Sequence, residues 1–271
     1  MGSFYICATP IGNLNDISSR LNQVLSDVDI VYAEDTRVAK KLLSHLDLTK
    51  EVHSYFKGNE VKKIDEIIHF LNDGKSIAMI SDAGTPLISD PGSILVKELV
   101  AKKVNIVSIP GPSSILVALT LSGFDTDKFM FLGFIPKSGK ERTKFFEDVQ
   151  SAELTLICFT SPNRLQKDLM EFVNKNIENE IVVCRELTKK FESIYRGTAK
   201  KLLKDIPEVK YKGEITLVID KSQKMKNINV DNEGVAKKLI EYKVPKREIA
   251  KIISSITEEK VNKVYDQIKN L

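Results

Sequence analysis

The segment from Ser81 to Gly92 carries the densest group of residues in this chain that could bind a ligand. Within twelve positions it contains Asp82 and Asp90, together with two glycines and two prolines. Glycine allows close backbone approach and proline stiffens a loop, while carboxylates can accept hydrogen bonds from hydroxyls and amines or face a cation. The alternative is a turn whose aspartates only cap the following helix. The density of these residues favours a ligand-binding loop.

This loop lies between a strand-like run, Ser76–Ile80, and a helical pattern, Ile94–Val100. Three further stretches show the same order of apolar run, loop of small or charged residues, and helical pattern. Their apolar runs are Phe4–Ala8, Asp29–Ala33 and Asn105–Ile109. Four such units predict a parallel sheet whose loops meet at one edge, which is where ligands bind in open α/β sheets.

The loops contain motifs in a fixed order: TPIGNLNDI (9–17), AEDTR (33–37), SDAGTPLISDPG (81–92) and PGPS (110–113). This set resembles the tetrapyrrole methylase superfamily, and within it the branch that methylates ribosomal RNA. The resemblance continues at FTSPNR (159–164), RELTK (185–189), YRGT (195–198) and KGEI (212–215), so it covers most of residues 4–220. Asn163 stands where the family usually has histidine.

The resemblance implies an α/β fold with two domains of the tetrapyrrole-methylase type and a cleft between them, followed by a small helical C-terminal appendix. It implies S-adenosylmethionine as cofactor and 2′-O-methylation of a cytidine ribose in small-subunit (16S) ribosomal RNA at the decoding centre. The implied partners are ribosomal RNA in the assembled small subunit and a second copy of the chain in a homodimer.

The resemblance places the cofactor in the cleft between the two domains. The positions that it assigns to cofactor binding are Pro10, Gly12, Asp82, Gly84, Thr85, Pro86, Ser113, Ser114, Phe159, Leu187 and Gly213. The sequence has neither the G-x-G-x-x-G fingerprint with its acidic ribose partner nor the G-x-x-x-x-G-K-[ST] motif, which argues against nicotinamide and Walker-type nucleotide sites.

A ribose hydroxyl is a poor nucleophile, so methyl transfer to it calls for a base in the cleft. The catalytic candidates are Glu34, Asp35 and Glu186, with Asp82 as a further carboxylate. The alternative for Glu34–Arg37 is a helix cap with an intrahelical ion pair. Cationic residues that could hold RNA phosphates are Arg37, Arg164, Arg185, Lys189, Lys246 and Arg247.

The organisation along the chain predicts an N-terminal α/β domain (1–121), a second α/β domain with a mixed sheet (122–222) and a basic helical domain (228–271). A polar linker, Ser222–Asn227, precedes three predicted helices, which are Asn232–Tyr242, Lys246–Ile253 and Glu258–Lys269. From Gln223 onward there are 11 Lys or Arg against 7 Asp or Glu, an excess that equals the net charge of +4 of the whole chain. Such a basic tail is suited to contact RNA phosphates. The alternative is that it packs on the second domain and only stabilises that domain.

Composition excludes several other classes. No apolar run approaches the ~20 residues that span a bilayer, and the pattern of the first residues predicts a strand and not a secretory signal. Cys7, Cys158 and Cys184 lie in apolar runs, which indicates buried, reduced thiols in a cytoplasmic protein, and no metal-binding spacing is present. Two rival functions stay open: methylation of a small tetrapyrrole-like substrate, and RNA binding without catalysis.

Overall fold

This computed structural model describes residues 1–208, 212–221, 231–257 and 259–271. They form two five-stranded sheets with their helices and a separate group of three helices. The chain divides into two compact units, Met1–Ser222 with both sheets and Gln223–Leu271 with the three helices. The predicted linker Ser222–Asn227 and the predicted boundaries at 222 and 228 lie outside the described residues.

The first sheet is parallel throughout, as the repeated order of strand, loop and helix predicts. Its strands are β1 (Ser3–Cys7), β2 (Ile30–Ala33), β3 (Glu51–Ser54), β4 (Ile77–Ile80) and β5 (Asn105–Ile109). They are arranged in the order β3-β2-β4-β1-β5. Strands β2 and β4 are buried at every position, since helices cover both faces of the sheet.

Five helices follow these strands in turn. They are α1 (Ser19–Asp27), α2 (Thr36–His45), α3 (Glu60–Asn72), α4 (Ser93–Ala101) and α5 (Ser114–Ser122). Leu71 of α3 and Leu99 of α4 belong to the core on one face, while Leu25 of α1 and Leu43 of α2 belong to the core on the other. Helix α5 is apolar over most of its length and packs on the second sheet instead.

The second sheet is mixed. Its strands are β6 (Phe129–Phe134), β7 (Thr155–Thr160), β8 (Glu180–Arg185), β9 (Ser193–Thr198) and β10 (Ile215–Ile219). In the order β6-β7-β10-β8-β9, the pair β6 and β7 is parallel and the other neighbouring pairs are antiparallel. Its helices are α6 (Gly139–Gln150), α7 (Leu165–Asn174) and α8 (Ala199–Asp205). Ile115 and Leu119 of α5 share a buried cluster with Ile157 and Val218 of this sheet, so a continuous apolar core joins the two halves.

The C-terminal unit has a core of its own. Helices α9 (Asn232–Glu241), α10 (Lys246–Thr257) and α11 (Val261–Ile268) bury a small apolar cluster that includes Ile249, Ile253 and Val264. The helix predicted to end at Ile253 continues to Thr257, whose hydroxyl donates to the Ile253 carbonyl over 2.9 Å. The start predicted for the last helix, Glu258, lies outside the described residues, and the observed helix begins at Val261.

The predicted fold class is confirmed by the two α/β sheets and the helical C-terminal unit. The three cysteines are buried and unpaired, as predicted, and burial raises the pKa of the Cys7 and Cys184 thiols to about 12. Among the described residues, the helices are all too short or too polar to cross a bilayer.

Candidate active site

A cleft of about 430 Å³ opens where the carboxyl ends of the first sheet face the second sheet. Loops after β2, β4 and β5 form one side, and residues of β7, β10 and the segments beside them form the other. The predicted cofactor positions that line it are Asp82, Gly84, Thr85, Ser113, Ser114, Phe159, Leu187 and Gly213. Pro10, Gly12 and Pro86 do not line it.

The loop after β4 is held in a defined shape by backbone contacts. Thr9 and Gly84 form an isolated antiparallel bridge, with N–O distances of 2.8 and 3.1 Å in the two directions. Gly84 has a φ of 81°, which favours glycine, and the Ser81 hydroxyl donates to its carbonyl over 2.9 Å. Leu87 and Ser89 have φ values of 76° and 70°, so two non-glycine residues carry backbone strain beside the cleft.

Gly12 lies against the segment 187–189, and its assignment to cofactor binding stays a prediction. A Cβ at this position would lie 2.3 Å from Lys189 Cγ and 3.0 Å from the Leu187 carbonyl oxygen. The neighbouring Asn13 amide donates to the Thr188 hydroxyl over 3.1 Å. Gly12 therefore allows the loop after β1 to contact the 187–189 segment, which brings the two halves of the cleft together. Pro86 is buried and faces a separate small cavity.

Three carboxylates gather on the side of the cleft formed by the first sheet. Burial, followed by the nearby Asp82 charge, raises the pKa of Glu34. Burial is also the main cause that raises the pKa of Asp82, one of whose oxygens accepts the Asp35 amide over 3.0 Å. Burial, with the charges of Glu34 and Asp82, raises the pKa of Asp90 to about 6. Asp90 lines the cleft but was not among the predicted site residues, although it belongs to the loop that the sequence singles out.

Asp35 and Arg37 adopt the capping arrangement that the sequence left as an alternative. Asp35 is the N-cap of α2, accepts the Arg37 amide over 2.8 Å and pairs with its guanidinium over 2.6 Å. These hydrogen bonds from Arg37 lower the pKa of Asp35 to about 2. Neither residue lines the cleft; Asp35 caps α2, and its catalytic role stays a prediction.

Glu186 also lies outside the cleft, where it connects two segments of the wall. Its carboxylate accepts the Glu214 amide over 2.8 Å and the Lys189 ammonium over 3.0 Å. Burial opposes ionisation, but these two donors outweigh it and lower the pKa of Glu186. Glycine is favoured at position 213 because φ is 88° there, and a Cβ would also lie 2.4 Å from the Glu186 carboxylate. Glu186 and Lys189 thus hold the wall of the cleft, and their catalytic and RNA-binding roles stay predictions.

Two arginines predicted to bind RNA are engaged within the fold. Arg185 donates to the Lys212 carbonyl over 2.6 Å and to the Phe191 carbonyl over 3.0 Å. Arg164 donates to the Ile135 and Pro136 carbonyls, each over 2.8 Å. Their guanidinium groups therefore fix loops of the second half of the fold.

The carboxylate of Asp168 anchors the part of the wall that contains Thr160. Asp168 is fully buried and accepts Arg142 over 2.7 Å, Arg164 over 3.2 Å and the Thr160 hydroxyl over 2.5 Å. Thr160 itself lines the cleft. This network could not be predicted from the sequence, because Arg142 and Asp168 lie on helical segments outside the motifs.

Two phenylalanines, Phe134 and Phe159, form part of the apolar wall of the cleft. The Phe159 ring packs edge-to-face on Phe131 and Phe134, with centroid distances of 5.0 and 5.3 Å. Phe134 lines the cleft although 56% of it is exposed. Sequence reasoning missed Phe134, since it reads only as part of an apolar strand.

Lys246 and Arg247 lie at the start of α10 in the C-terminal unit. The Lys246 ammonium donates to the Lys269 carbonyl over 2.9 Å. Arg247 is exposed and makes no ion pair with the residues that the structure describes.

Comparison with known proteins places this fold in a family. The sequence profile of the tetrapyrrole (corrin/porphyrin) methylases matches residues 3–203. A ribosomal RNA small subunit methyltransferase I from Halalkalibacterium halodurans is 38% identical over 81% of this chain and 76% of its own length. A protein of the same name from Streptococcus pyogenes serotype M3 is 33% identical over 100% of this chain and 96% of its own length.

Solved structures show the same fold at low sequence identity. Cobalt precorrin-4 methyltransferase superposes with a TM-score of 0.61 at 20% identity, covering 80% of this chain and 94% of that one. Uroporphyrin-III C-methyltransferase from Thermus thermophilus, complexed with S-adenosylhomocysteine, gives a TM-score of 0.58 at 14% identity, covering 81% of this chain and 97% of that one. The resemblance seen in the motifs is confirmed: the chain belongs to the tetrapyrrole methylase family, and it is similar over its whole length to ribosomal RNA small subunit methyltransferases I.

Proposed function

We propose that this protein transfers a methyl group from S-adenosylmethionine to the 2′-hydroxyl of a cytidine in small-subunit (16S) ribosomal RNA at the decoding centre. The observation that carries the proposal is the similarity to an rRNA methyltransferase over the whole chain, C-terminal helices included. The choice of a cytidine, and of its 2′-oxygen as the methyl acceptor, rests on the resemblance of the motifs. The cleft supports the reaction class because it combines an apolar wall with a half-buried carboxylate, Asp90, and two exposed ones, Glu34 and Asp82.

The residues of the cleft fit S-adenosylmethionine. A volume of about 430 Å³ is in the range of small-molecule sites. The edge of the Phe159 and Phe134 rings suits a flat adenine, and the N-terminus of α5 at Ser114 suits the carboxylate of the methionine part. Glu34 and Asp82 suit its cationic groups. When bound there, S-adenosylmethionine would supply a methyl group on a positively charged sulfonium.

RNA phosphates require cations outside the cleft, because the cleft itself is acidic. The Arg247 guanidinium is exposed and available to them, and the Arg37 guanidinium is 86% exposed although it pairs with Asp35. Arg164 and Arg185 instead donate to backbone carbonyls within the fold. We propose that the C-terminal helical domain (228–271) contacts the RNA and that the two α/β domains (1–121 and 122–222) hold the cofactor. The same proposal includes a cytoplasmic homodimer that acts on the assembled small subunit.

Methylation with labelled S-adenosylmethionine tests the reaction. The full chain would be offered unmethylated small ribosomal subunits, free 16S RNA and a tetrapyrrole precursor in parallel. We expect label in the small subunits, at a cytidine whose backbone then resists alkaline cleavage because its 2′-oxygen is blocked. Label in the tetrapyrrole alone would favour the rival function, and binding of subunits without label would favour a non-catalytic protein.

Asp82→Ala tests the assignment of the cofactor to this cleft. The variant should bind S-adenosylhomocysteine at least tenfold more weakly by calorimetry, because it removes a carboxylate that lines the cleft. Asp65→Ala is the matched control, since Asp65 is exposed on α3 and does not line the cleft. Equal affinity in all three proteins would mean that Asp82 only shapes its loop.

A further inference from the structure

A second, much smaller cavity lies beside the cleft. It measures about 10 Å³, which is room for a single water molecule. Glu34 and Asp90 line both the cleft and this cavity, so they lie between the two spaces. They come from different loops, Glu34 after β2 and Asp90 after β4.

The hydroxyl of Tyr55 makes this small cavity unusual. Tyr55 follows β3, lines the cavity and is only 2% exposed. Its hydroxyl makes no hydrogen bond with any residue that the structure describes. Buried hydroxyls without a partner are rare in native proteins. A water molecule in the cavity could accept a hydrogen bond from this hydroxyl and donate one to Glu34 or Asp90, the carboxylates that line the same cavity.

Among the three carboxylates, Asp90 is the best placed to use that water and to act on a substrate. One oxygen of Asp82 is already bonded to the Asp35 amide, and Glu34 is exposed. Asp90 is half-buried, and its pKa of about 6 makes it ionised at neutral pH while it remains a useful base.

The groups that face Asp90 come from each neighbouring element. Glu34 lies at the end of β2, Asp82 lies in the same loop, and Tyr55 follows β3. Glu60, at the start of α3, accepts the amide of Gly92 over 2.9 Å, two residues along the chain from Asp90. No cation is among the causes that shift the pKa of Asp90.

We propose that Asp90 is the general base of the methyl transfer and that Tyr55 is a positioning residue, acting on it through one water molecule in the small cavity. The inference rests on the proposed function of the cleft. Asp90 takes the proton as the O2′–H bond breaks, the freed electron pair forms the O2′–CH3 bond, and the electrons of the S–CH3 bond remain on sulfur. The products are the methylated ribose, neutral S-adenosylhomocysteine and protonated Asp90, which then releases its proton to solvent.

Single-turnover methylation of small ribosomal subunits across pH 5–9 tests the base. We expect the wild-type rate to rise with an inflection near pH 6, and Asp90→Asn to lower it by about 10²–10⁴-fold and to abolish the inflection. Asp90→Glu should retain more activity than Asp90→Asn. Calorimetry should show the affinity for S-adenosylhomocysteine unchanged within about threefold in Asp90→Asn. Asp65→Asn, the same chemical change outside the cleft, should match wild type in both measurements.

Two further variants test the surroundings of the base. Glu34→Gln removes a repelling charge and should move the inflection to lower pH. Tyr55→Phe removes the hydroxyl that acts on Asp90 through the water molecule. It should move the inflection to higher pH and lower the rate about 3–10-fold. An unchanged inflection in Tyr55→Phe would overturn the water link.

The outcomes separate the base assignment from the proposed function. If wild type methylates the subunits and Asp90→Asn remains within threefold of it, only the base assignment is overturned. If wild type labels none of the substrates, the proposed function is overturned and the base assignment with it. The pH dependence of unfolding of the unliganded protein gives an independent readout, since Asp90→Asn should remove a component between about pH 4 and 6.

Discussion

Replacing Asp168 with alanine removes the centre of a buried ion network behind the cleft. The Asp168 side chain is 0% exposed and accepts hydrogen bonds from Arg142 at 2.7 Å and Arg164 at 3.2 Å. The Arg142 side chain is 9% exposed, and its second terminal nitrogen has no partner among the described residues. In Asp168→Ala, the Arg142 charge would remain buried without a counter-charge, and the Thr160 hydroxyl would lose its acceptor.

Removing one partner of a buried ion pair costs about 3–5 kcal/mol, because the other charge stays desolvated. For a unit of this size, each 1 kcal/mol lowers Tm by roughly 2–4 °C. We therefore expect Asp168→Ala to lower Tm by roughly 6–20 °C and to shift the midpoint of urea unfolding accordingly. Affinity for S-adenosylhomocysteine should also fall, since Thr160 lines the cleft.

Glu171→Ala is the matched control on the same helix. Glu171 pairs with Lys175 at 4.0 Å, and both side chains are about one-third exposed. Such a pair contributes about 0–0.5 kcal/mol. Asp168→Asn, which keeps an acceptor oxygen, should lie between the control and the alanine variant. A loss below about 1 kcal/mol in both Asp168 variants would refute the reasoning that the network holds an otherwise unpaired buried charge.

Three further predictions concern other parts of the chain. Gly12→Ala should destabilise the protein by about 1–3 kcal/mol, because the added Cβ would lie 3.0 Å from the Leu187 carbonyl oxygen. An unchanged midpoint of urea unfolding would contradict this close approach. In the unliganded protein, Asp90→Asn should match wild type near pH 4 and exceed its stability by roughly 1–2 kcal/mol at pH 7–8, as measured by urea unfolding at both pH values. A chain ending at Lys221 should bind S-adenosylhomocysteine with wild-type affinity but methylate small subunits poorly. Activity of the truncated chain equal to that of the full chain, at low and at high salt, would exclude RNA contact by the C-terminal helices.

The sign of the Asp90 effect follows from its raised pKa. Below about pH 4 the carboxyl is protonated in the folded and the unfolded states, so it contributes no difference in stability. Between about pH 4 and 6 the unfolded state ionises while the folded state retains its proton, so folding stability falls as pH rises. Above pH 6 the full cost of ionising the folded state is present, and asparagine avoids it.

The parallel sheet and the ligand loop could be predicted from the sequence, because both depend on local signals. Apolar runs ending in loops of glycine, proline and aspartate fix the strands and their carboxyl edge. The loop 81–92 does line the cleft as predicted. Its second aspartate, Asp90, was overlooked as a site residue because its neighbours Glu34 and Tyr55 come from distant parts of the chain.

The roles of the charged motif residues could not be read from their types. The motifs suggested RNA binding for Arg164 and Arg185 and catalysis for Glu186. In the structure the two arginines donate to backbone carbonyls, and Glu186 accepts a backbone amide. Whether a guanidinium faces solvent or a carbonyl depends on tertiary contacts that no local pattern encodes. The cap at Asp35 was the one such role that the sequence offered as an alternative.

The loop after β4 combines backbone strain with a carboxylate whose ionisation is opposed, and both lower the stability of the folded protein. Leu87 and Ser89 have left-handed backbone conformations, and Asp90 beside them is held where ionisation is opposed by burial and by two other carboxylates. Contacts from separate elements hold the loop in place: the bridge between Thr9 and Gly84, and the carboxylate of Glu60 on the amide of Gly92. Because strain and repulsion lower stability without a ligand, a cationic ligand that neutralises the carboxylates should stabilise the protein more than a neutral one of the same shape. S-adenosylmethionine carries a sulfonium charge that S-adenosylhomocysteine lacks, so it should raise Tm further at equal free concentration, and the difference should shrink as the pH falls below 6. A larger shift with S-adenosylhomocysteine at every pH would show that the carboxylates do not face the sulfonium.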